Sequence, residues 1–491
     1  MPNLSGPSTG GVSILSGQQA AMSEAPPPPK PAFDALAARR QRLLEGRILP
    51  TIFRLSGPTV VGSLATISSS IIQLHFIGRL GVGALASVTL VFPCLSMMQY
   101  IASAGFGAGV ASAIARSLGA GRRADAEALV LNAVVLAVAF GVTFAGLALY
   151  FGPTLYRLIG GTGPTLAASL AYSNWVFGAA PFVWLSAFLV CALIGSGNTV
   201  VPQIMAIAGI IVVVPLSLTL IFGWGPIPPM GLAGGGLALA CYNVAATAAL
   251  IGYFRSSRAS LRLRFDYRLI EWRLMRDILH VGFFAALGVA IPALSVTLIT
   301  AAVARFGADA VAGYGIAIRA DYLLLPLYFG ICSGIVPMVG ANFGAGQIRR
   351  ARRIALTGAF IAGGIGCAAG LFLALAPSAW IGLFNKDPAV LASGSLYFRI
   401  VGIQFPLSAI AFVLGGAAQA AGRPLWLSAA VTARLTVAGG GSWLVVAGIG
   451  GRLDEVYVML AIGAIFYCGV LAVGQFLGRT IPEPAKVASV A

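Results

Sequence analysis

An all-α polytopic membrane protein is the fold class the sequence predicts, with twelve transmembrane helices in two parallel six-helix repeats, an N-lobe and a C-lobe, around a central cavity. Three observations predict it. Hydrophobic residues make up 58% of the 491 and charged residues 9%, with a mean hydropathy of +0.93, a balance foreign to a water-soluble domain of this length. Twelve apolar segments are each long enough to cross a hydrocarbon core of ~30 Å. The second half of the chain also repeats the first at an offset of 225 residues, as transporters built from two similar lobes do.

The first six spans are expected at 53–78, 84–113, 127–151, 166–194, 201–223 and 231–254, and the second six at 279–304, 309–340, 354–380, 392–419, 425–449 and 456–478. The second and eighth are long enough to require tilt, a kink or an extension into water. The repeated positions are those that shape membrane helices: Gly57 with Gly282, Gly105 with Gly330, Gly109 with Gly334, Gly119 with Gly344, Gly121 with Gly346, Ala126 with Ala351, Tyr172 with Tyr397, Pro181 with Pro406, Gly197 with Gly422, and Gly223 with Gly448. Six spans per copy bring the second copy in with the orientation of the first, so the pseudo-twofold axis runs along the membrane normal.

This divides the chain into a disordered cytoplasmic tail at 1–48, the N-lobe at 49–254, a basic cytoplasmic linker at 255–277, the C-lobe at 278–480 and a cytoplasmic C-terminal tail at 481–491. The first tail opens with Ser, Gly and Pro, includes Pro26 to Pro29, and lacks an anchoring apolar run. No signal peptide is expected, because the first long apolar segment begins past residue 50 and continues into the polytopic body. The linker mixes charge with Leu, Tyr and Trp, which predicts a short amphipathic helix on the inner surface.

With the N-terminus in the cytoplasm, 23 of the 31 basic residues fall on inner segments, 5 on outer loops and 3 within spans. That bias places both termini and the linker on the cytoplasmic side. The net charge of +17 then belongs to short loops beside the bilayer, where anionic lipid headgroups are the expected partners and nucleic acid is not. Arginine outnumbers lysine 28 to 3, which fits a GC-rich bacterial genome and hence a multi-pass protein of the bacterial inner membrane. The cysteines Cys94, Cys191, Cys241, Cys332, Cys367 and Cys468 are scattered singly, with no metal or redox spacing, and read as packing residues. Only two histidines occur, too few for an intramembrane enzyme's constellation. No catalytic residue, metal or cofactor is predicted.

Several motifs resemble the multidrug and toxic compound extrusion (MATE) family over residues 50–480. The first half carries Ile77-Gly78-Arg79-Leu80-Gly81 and, ending the second span, Leu118-Gly119-Ala120-Gly121. The second half answers with Gly313-Tyr314-Gly315-Ile316-Ala317-Ile318-Arg319 and Gly340-Ala341-Asn342-Phe343-Gly344-Ala345-Gly346. Gly195-Ser196-Gly197 and Gln419-Ala420-Ala421-Gly422-Arg423 close the fourth and tenth spans. The resemblance implies export of small amphipathic, drug-like compounds, typically organic cations, by proton or sodium antiport between two alternately opening bundles, with no cofactor. The glycines themselves read as helix-packing and helix-ending residues.

The chain departs from the family where coupling carboxylates usually stand. Gln73 occupies the first-span position where many members carry aspartate, and Pro292 and Ile410 fall where the sodium-coupled branch carries acids. The spans retain one acid, Asp321, and three arginines, Arg319, Arg399 and Arg434, all in the second copy; the equivalents of Arg399 and Arg434 are Asn174 and Gly209. Ionised groups at membrane depth cost ~2.5 kcal/mol or more, so they pair or line a wet cavity. Arg319 and Asp321 are two residues apart and point to opposite sides of a helix. Asp321 is therefore expected to pair with Arg399 or Arg434, as a coupling device or as a static salt bridge.

The ion-coupling candidates are Asp321 and Arg319. The substrate-binding candidates are Gln73, His75, Asn174, Tyr314, Arg399, Gln404 and Arg434. His75 is included as one of only two histidines in the chain, although a lone histidine is more often a packing group. No oxygen cluster suited to sodium is recognisable, so protons are favoured. Three arginines against one aspartate keep a second substrate class open, an anionic or lipid-linked metabolite. The expected partners are the small-molecule substrate, the coupling cation (H+ or Na+) and membrane lipids, with the transporter acting as a monomer.

Overall fold

The computed structural model describes residues 32–226 and 228–481. Ten helices are long and apolar enough to cross a membrane, and two bent pairs bring the spans among the described residues to twelve. Ahead of the first span lies α1 (Ala32–Glu45). The N-lobe follows as α2 (Ile48–Gly78), α3 (Val82–Tyr100) running through a π-helical turn at Ile101–Gly107 into α4 (Ala108–Gly119), α5 (Arg123–Leu158), α6 (Gly163–Gly178) with α7 (Ala180–Gly195), α8 (Val200–Phe222) and α9 (Leu232–Arg255). The C-lobe repeats this as α10 (Trp272–Val303), α11 (Ala308–Gly344), α12 (Ile348–Leu375), the short α13 (Pro377–Ile381), α14 (Pro388–Val401) with α15 (Gln404–Ala420), α16 (Leu425–Arg434) and α17 (Leu453–Phe476). Between α16 and α17 the chain passes through two π-helical stretches, Leu435–Gly440 and Leu444–Ile449.

The repeat predicted at 225 residues is visible atom by atom. The fourth and tenth spans break at equivalent points, bending 47° between α6 and α7 and 53° between α14 and α15. Pro181 and Pro406 sit in the first turn after each break, where a missing N–H costs nothing. A glycine on the preceding span lies against each: a Cβ on Gly141 would overlap Pro181, and one on Gly366 would come within 2.9 Å of Pro406 Cα. The second and eighth spans end alike. Gly121 (φ 78°) and Gly346 (φ 75°) adopt the left-handed conformation, and the amides of Arg122 and Gln347 donate to Ser117 O and Asn342 O at 2.9 and 2.8 Å. These are Schellman stops, for which a residue without Cβ is suited. One contact is repeated with its residues exchanged: the Cys191 thiol fills the space a Cβ on Gly107 would take, and in the C-lobe Cys332 does the same at Gly416.

Two of the sequence expectations are corrected. Residues 32–45 of the expected disordered tail form α1, because Leu36, Leu43 and Leu44 recur on one helical face and are buried; residues 1–31 lie outside the described residues. The linker forms no amphipathic helix. It runs irregularly from Ser256 to Glu271 with one 3-10 turn, Tyr267–Leu269, and buries Leu261 and Leu263. Asn132 of α5 holds it, donating to Leu269 O at 2.8 Å and accepting from Glu271 N at 3.1 Å. The last residues of the C-terminal tail, 482–491, also lie outside the described residues.

Among the described residues, the hydrogen bonds between the lobes lie toward the end that bears α1, the linker and most of the arginines. There the second-span glycines of each lobe take the first span of the other. A Cβ on Gly105 would sit 3.1 Å from Ala286 Cβ, and one on its mate Gly330 would overlap Val60. At the end of the seam, where both helices stop, Gly119 abuts the carbonyl of Ala341 and Gly344 that of Arg116; both contacts shift by 225 residues into each other. Ser333 donates to Thr59 across the seam at 2.9 Å. Arg116 of α4 closes it with two bonds to the Asp277 carboxylate of α10, at 2.7 and 2.8 Å, and one to Ala420 O at 3.2 Å. Nearer the other end no hydrogen bond joins the lobes among the described residues.

Arg116 therefore ties the two lobes together at this end. With Asp277 half exposed, the pair is worth about 1 kcal/mol. Arg116→Gln is expected to raise the population open at the basic end by roughly fivefold, read as faster thiol labelling of Ser56→Cys within the seam. Unchanged labelling would remove Arg116 from the closure.

Candidate functional site

Asp321 lies midway along α11, half buried. The break between α14 and α15 brings two donors to it. Tyr397, on the last turn of α14, donates its phenol to Asp321 Oδ2 at 3.3 Å, and Gln404, the first residue of α15, donates its amide to the same oxygen at 2.9 Å. A straight tenth span would place these two side chains seven residues apart along one helix; the 53° bend lets both converge on one carboxylate. Gln404 is 3% exposed and its Oε1 is buried without a hydrogen-bond partner.

Tyrosines wall this nest. Tyr314 stands seven residues before Asp321, on the same face of α11, and meets the Tyr397 ring edge-on at 5.7 Å; Tyr457 of α17 meets Tyr397 from another side at 5.3 Å. Both geometries are the edge-to-face arrangement that aromatic quadrupoles favour. Trp380 donates its indole N–H to Ile316 O at 3.1 Å, tying the 12–14 connection to α11. Next to Asp321 in the chain, Tyr322 is 53% exposed, and Tyr100 of the N-lobe is 48% exposed. Tyr100 immediately precedes the π-helical turn of the second span, a distortion common at functional positions.

Arg434 is the cation whose field reaches Asp321, and it also acts on Tyr314, Tyr322 and Tyr397. Its guanidinium stacks 5.7 Å from the Tyr467 ring centroid, at the point where α16 passes into π-helix. The expected ion pair is corrected. Among the described residues no arginine lies within 4.0 Å of Asp321. Arg399 is two residues from Tyr397, hence on the opposite side of α14, and is exposed. Arg434 is held over Tyr467 instead. Arg319 is likewise exposed, 5.8 Å from the Phe384 ring centroid.

Of the sequence candidates, Asp321, Tyr314, Gln404 and Arg434 come together, whereas Arg319 and Arg399 lie outside the nest. Gln73, half buried, and His75, exposed, lie on α2, and Asn174 is exposed on α6, all in the other lobe. That lobe has no equivalent nest: Ser96, Tyr172 and Ala179 stand where Asp321, Tyr397 and Gln404 would be. Sequence reading missed Tyr397, Tyr457, Tyr322 and Tyr100. Tyr397 had a signal, since it is seven residues before Gln404 and matched to Tyr172 in the repeat, but only the helix break shows that it faces Asp321.

Comparison with known proteins agrees with this architecture. The sequence model of the MatE family matches residues 58–219 and 284–439, once in each lobe. The chain is 26% identical over 449 residues to the FAD transporter of Shewanella oneidensis, covering 91% of this chain and 98% of that protein. It is 24% identical over 382 residues to the multidrug export protein MepA of Staphylococcus aureus, covering 77% and 82%. Among solved structures, a multidrug resistance MATE family transporter of the MOP superfamily in an outward-facing conformation superposes with a TM-score of 0.79 at 20% identity, covering 92% of this chain and 99% of that one. A MOP superfamily transporter from Pyrococcus furiosus, described as having a binding pocket of reversed polarity, superposes with a TM-score of 0.79 at 21% identity, covering 89% and 96%.

Proposed function

Because this chain belongs to the MATE family of multidrug efflux transporters, we propose that it is a secondary active exporter, not an enzyme, moving small amphipathic compounds by proton antiport with Asp321 as the coupling acid. The observation that carries the reading is the Asp321 nest: the one acid near the middle of a spanning helix among the described residues, hydrogen-bonded by Tyr397 and Gln404 and in ion-pair contact with no arginine among the described residues. A carboxylate locked to an arginine stays ionised. One held by neutral donors is free to take a proton. Gln404 suits both states, since its amide N–H serves the carboxylate and its unpartnered Oε1 can accept the O–H of the neutral acid after the amide turns.

Protons are favoured over sodium for the same reason. Asp321 is approached by hydrogens from Tyr397 and Gln404, whereas a hard cation needs a shell of oxygens. The basic end is taken as cytoplasmic from the distribution of arginine, so the closed seam faces the cytoplasm and the cavity faces outward. In that state a proton reaches Asp321 from outside, and neutralising it weakens the hold on a cationic substrate. Substrate leaves, the seam opens, the proton dissociates inside, and the carboxylate binds the next substrate. The lobes alternate within one chain, so a monomer suffices.

A second reading, export of an organic anion, is favoured by Arg434. Its charge acts on the nest, and the relative from Shewanella oneidensis is named an FAD transporter. Arg434→Gln separates the two. If the substrate is anionic, uptake of FAD into proteoliposomes is expected to fall by about tenfold or more with the loss of one charge-assisted contact, while transport of a fluorescent organic cation persists. Unchanged FAD uptake would remove Arg434 from substrate binding.

A further inference from the structure

The basic end holds a cleft that the transport cycle does not use. It is lined by Arg39, Arg42 and Leu43 of α1, Thr51, Arg54 and Leu55 of α2, and Gly197 of the turn between α7 and α8, and is a small hollow of about 20 Å³ open to solvent on one side. Three arginines border one small space. Among the described residues none of the three has a carboxylate within 4.0 Å; Arg39 has one weak hydrogen bond, to the Ser260 hydroxyl at 3.3 Å. Unneutralised like charges repel, and α1 is nevertheless seated here by strong contacts. Arg40 donates to Leu118 O and Gly119 O of the N-lobe, each at 2.9 Å, while Leu43 O accepts from Asn342 of the C-lobe at 2.9 Å. Leu36 packs into the N-lobe core, and Leu43 and Leu44 into that of the C-lobe.

We propose that this cleft binds a phosphoryl group, held by Arg39, Arg42 and Arg54, with the headgroup of an anionic phospholipid as its source. Guanidiniums match phosphate oxygens in paired, planar geometry, which is what three uncompensated arginines around one space offer. The depth fits a headgroup: Arg54 is six residues into α2, about 9 Å along the axis at ~1.5 Å per residue. Leu49 and Phe53, on the face of α2 opposite Thr51 and Leu55, are 47% and 58% exposed, so the side of the helix away from the cleft is apolar, as a helix between a headgroup and acyl chains requires. Because α1 bridges both lobes when the seam is shut, a ligand that needs α1 in place favours that state by its difference in affinity between the two.

The test is the thermal melting of the purified full-length protein against increasing phosphatidylglycerol, with phosphatidylcholine and glycerol 3-phosphate as parallel titrations. Phosphatidylglycerol is expected to raise the melting midpoint saturably and phosphatidylcholine is not. In Arg42→Gln/Arg54→Gln the half-saturating concentration should rise by about tenfold or more; Arg42→Gln alone serves if the double variant does not fold. Arg258→Gln, on the basic linker outside the cleft, should leave the titration unchanged. Stabilisation by glycerol 3-phosphate equal to that by the lipid would keep the phosphoryl site but assign it to a soluble ester. Equal half-saturation in wild type and the cleft variants, or an equal loss in Arg258→Gln, would overturn the site.

Discussion

Asp321→Asn is expected to abolish uptake of a fluorescent organic cation driven by a pH gradient in proteoliposomes, with or without sodium. Asparagine keeps the size of the side chain and an oxygen for the bonds now made by Tyr397 and Gln404, so the nest and the fold should survive. What it cannot do is exchange a proton. Because the other acids on the spanning helices, Asp125, Glu127, Asp277, Asp309, Asp454 and Glu455, lie within two turns of a helix end, no second carboxylate is available at that depth to substitute. Substrate affinity measured at equilibrium should fall much less for a neutral substrate than for a cationic one, since the neutral amide mimics the protonated acid. Uptake in the variant equal to wild type would reduce Asp321 to a structural hydrogen-bond acceptor.

The second large effect is expected at the seam. A Cβ on Gly119 would overlap the carbonyl of Ala341, and one on Gly344 that of Arg116, so Gly119→Ala and Gly344→Ala each wedge a backbone rather than a side chain that could turn away. Overpacking of this kind costs about 1–3 kcal/mol. Alanine's better helix propensity, ~1 kcal/mol, applies equally whether the seam is open or shut and cancels in the comparison. The double variant should therefore shift the population toward the state open at the basic end by tenfold or more, at about 1.4 kcal/mol per tenfold. Spin labels at Arg122→Cys and Gln347→Cys, both exposed and next to the two Schellman stops, in a background with the exposed Cys241 and Cys367 replaced by serine, would read the separation directly. An unchanged distance distribution would mean that the seam is not the element that opens.

What the sequence reveals and what it hides follow from the range of each interaction. Span positions are legible because hydropathy is a local sum, and the repeat because equivalent backbone contacts demand the same small residues, as at Gly119 and Gly344. The C-lobe charge asymmetry and the candidacy of Asp321, Tyr314, Gln404 and Arg434 are also readable from residue types alone. The proposed pairing of Asp321 with an arginine fails because charge was weighed without helix face: Arg399 lies on the side of α14 away from Tyr397. The convergence of Tyr397 and Gln404 depends on a 53° bend whose direction no local pattern gives. α1 was legible in part, since Leu36, Leu43 and Leu44 are spaced seven and eight apart, but a proline-rich approach hid the helix, and its role in spanning both lobes is a purely tertiary fact.

The most direct test of the account is proton counterflow without any imposed pH gradient. Proteoliposomes loaded with a pH-sensitive dye and given a downhill gradient of transported substrate in sodium-free buffer should show proton movement opposite to the substrate, and Asp321→Asn should show none. Proton flux of equal size in the variant, or substrate movement that proceeds in wild type with no proton flux, would contradict coupling at Asp321.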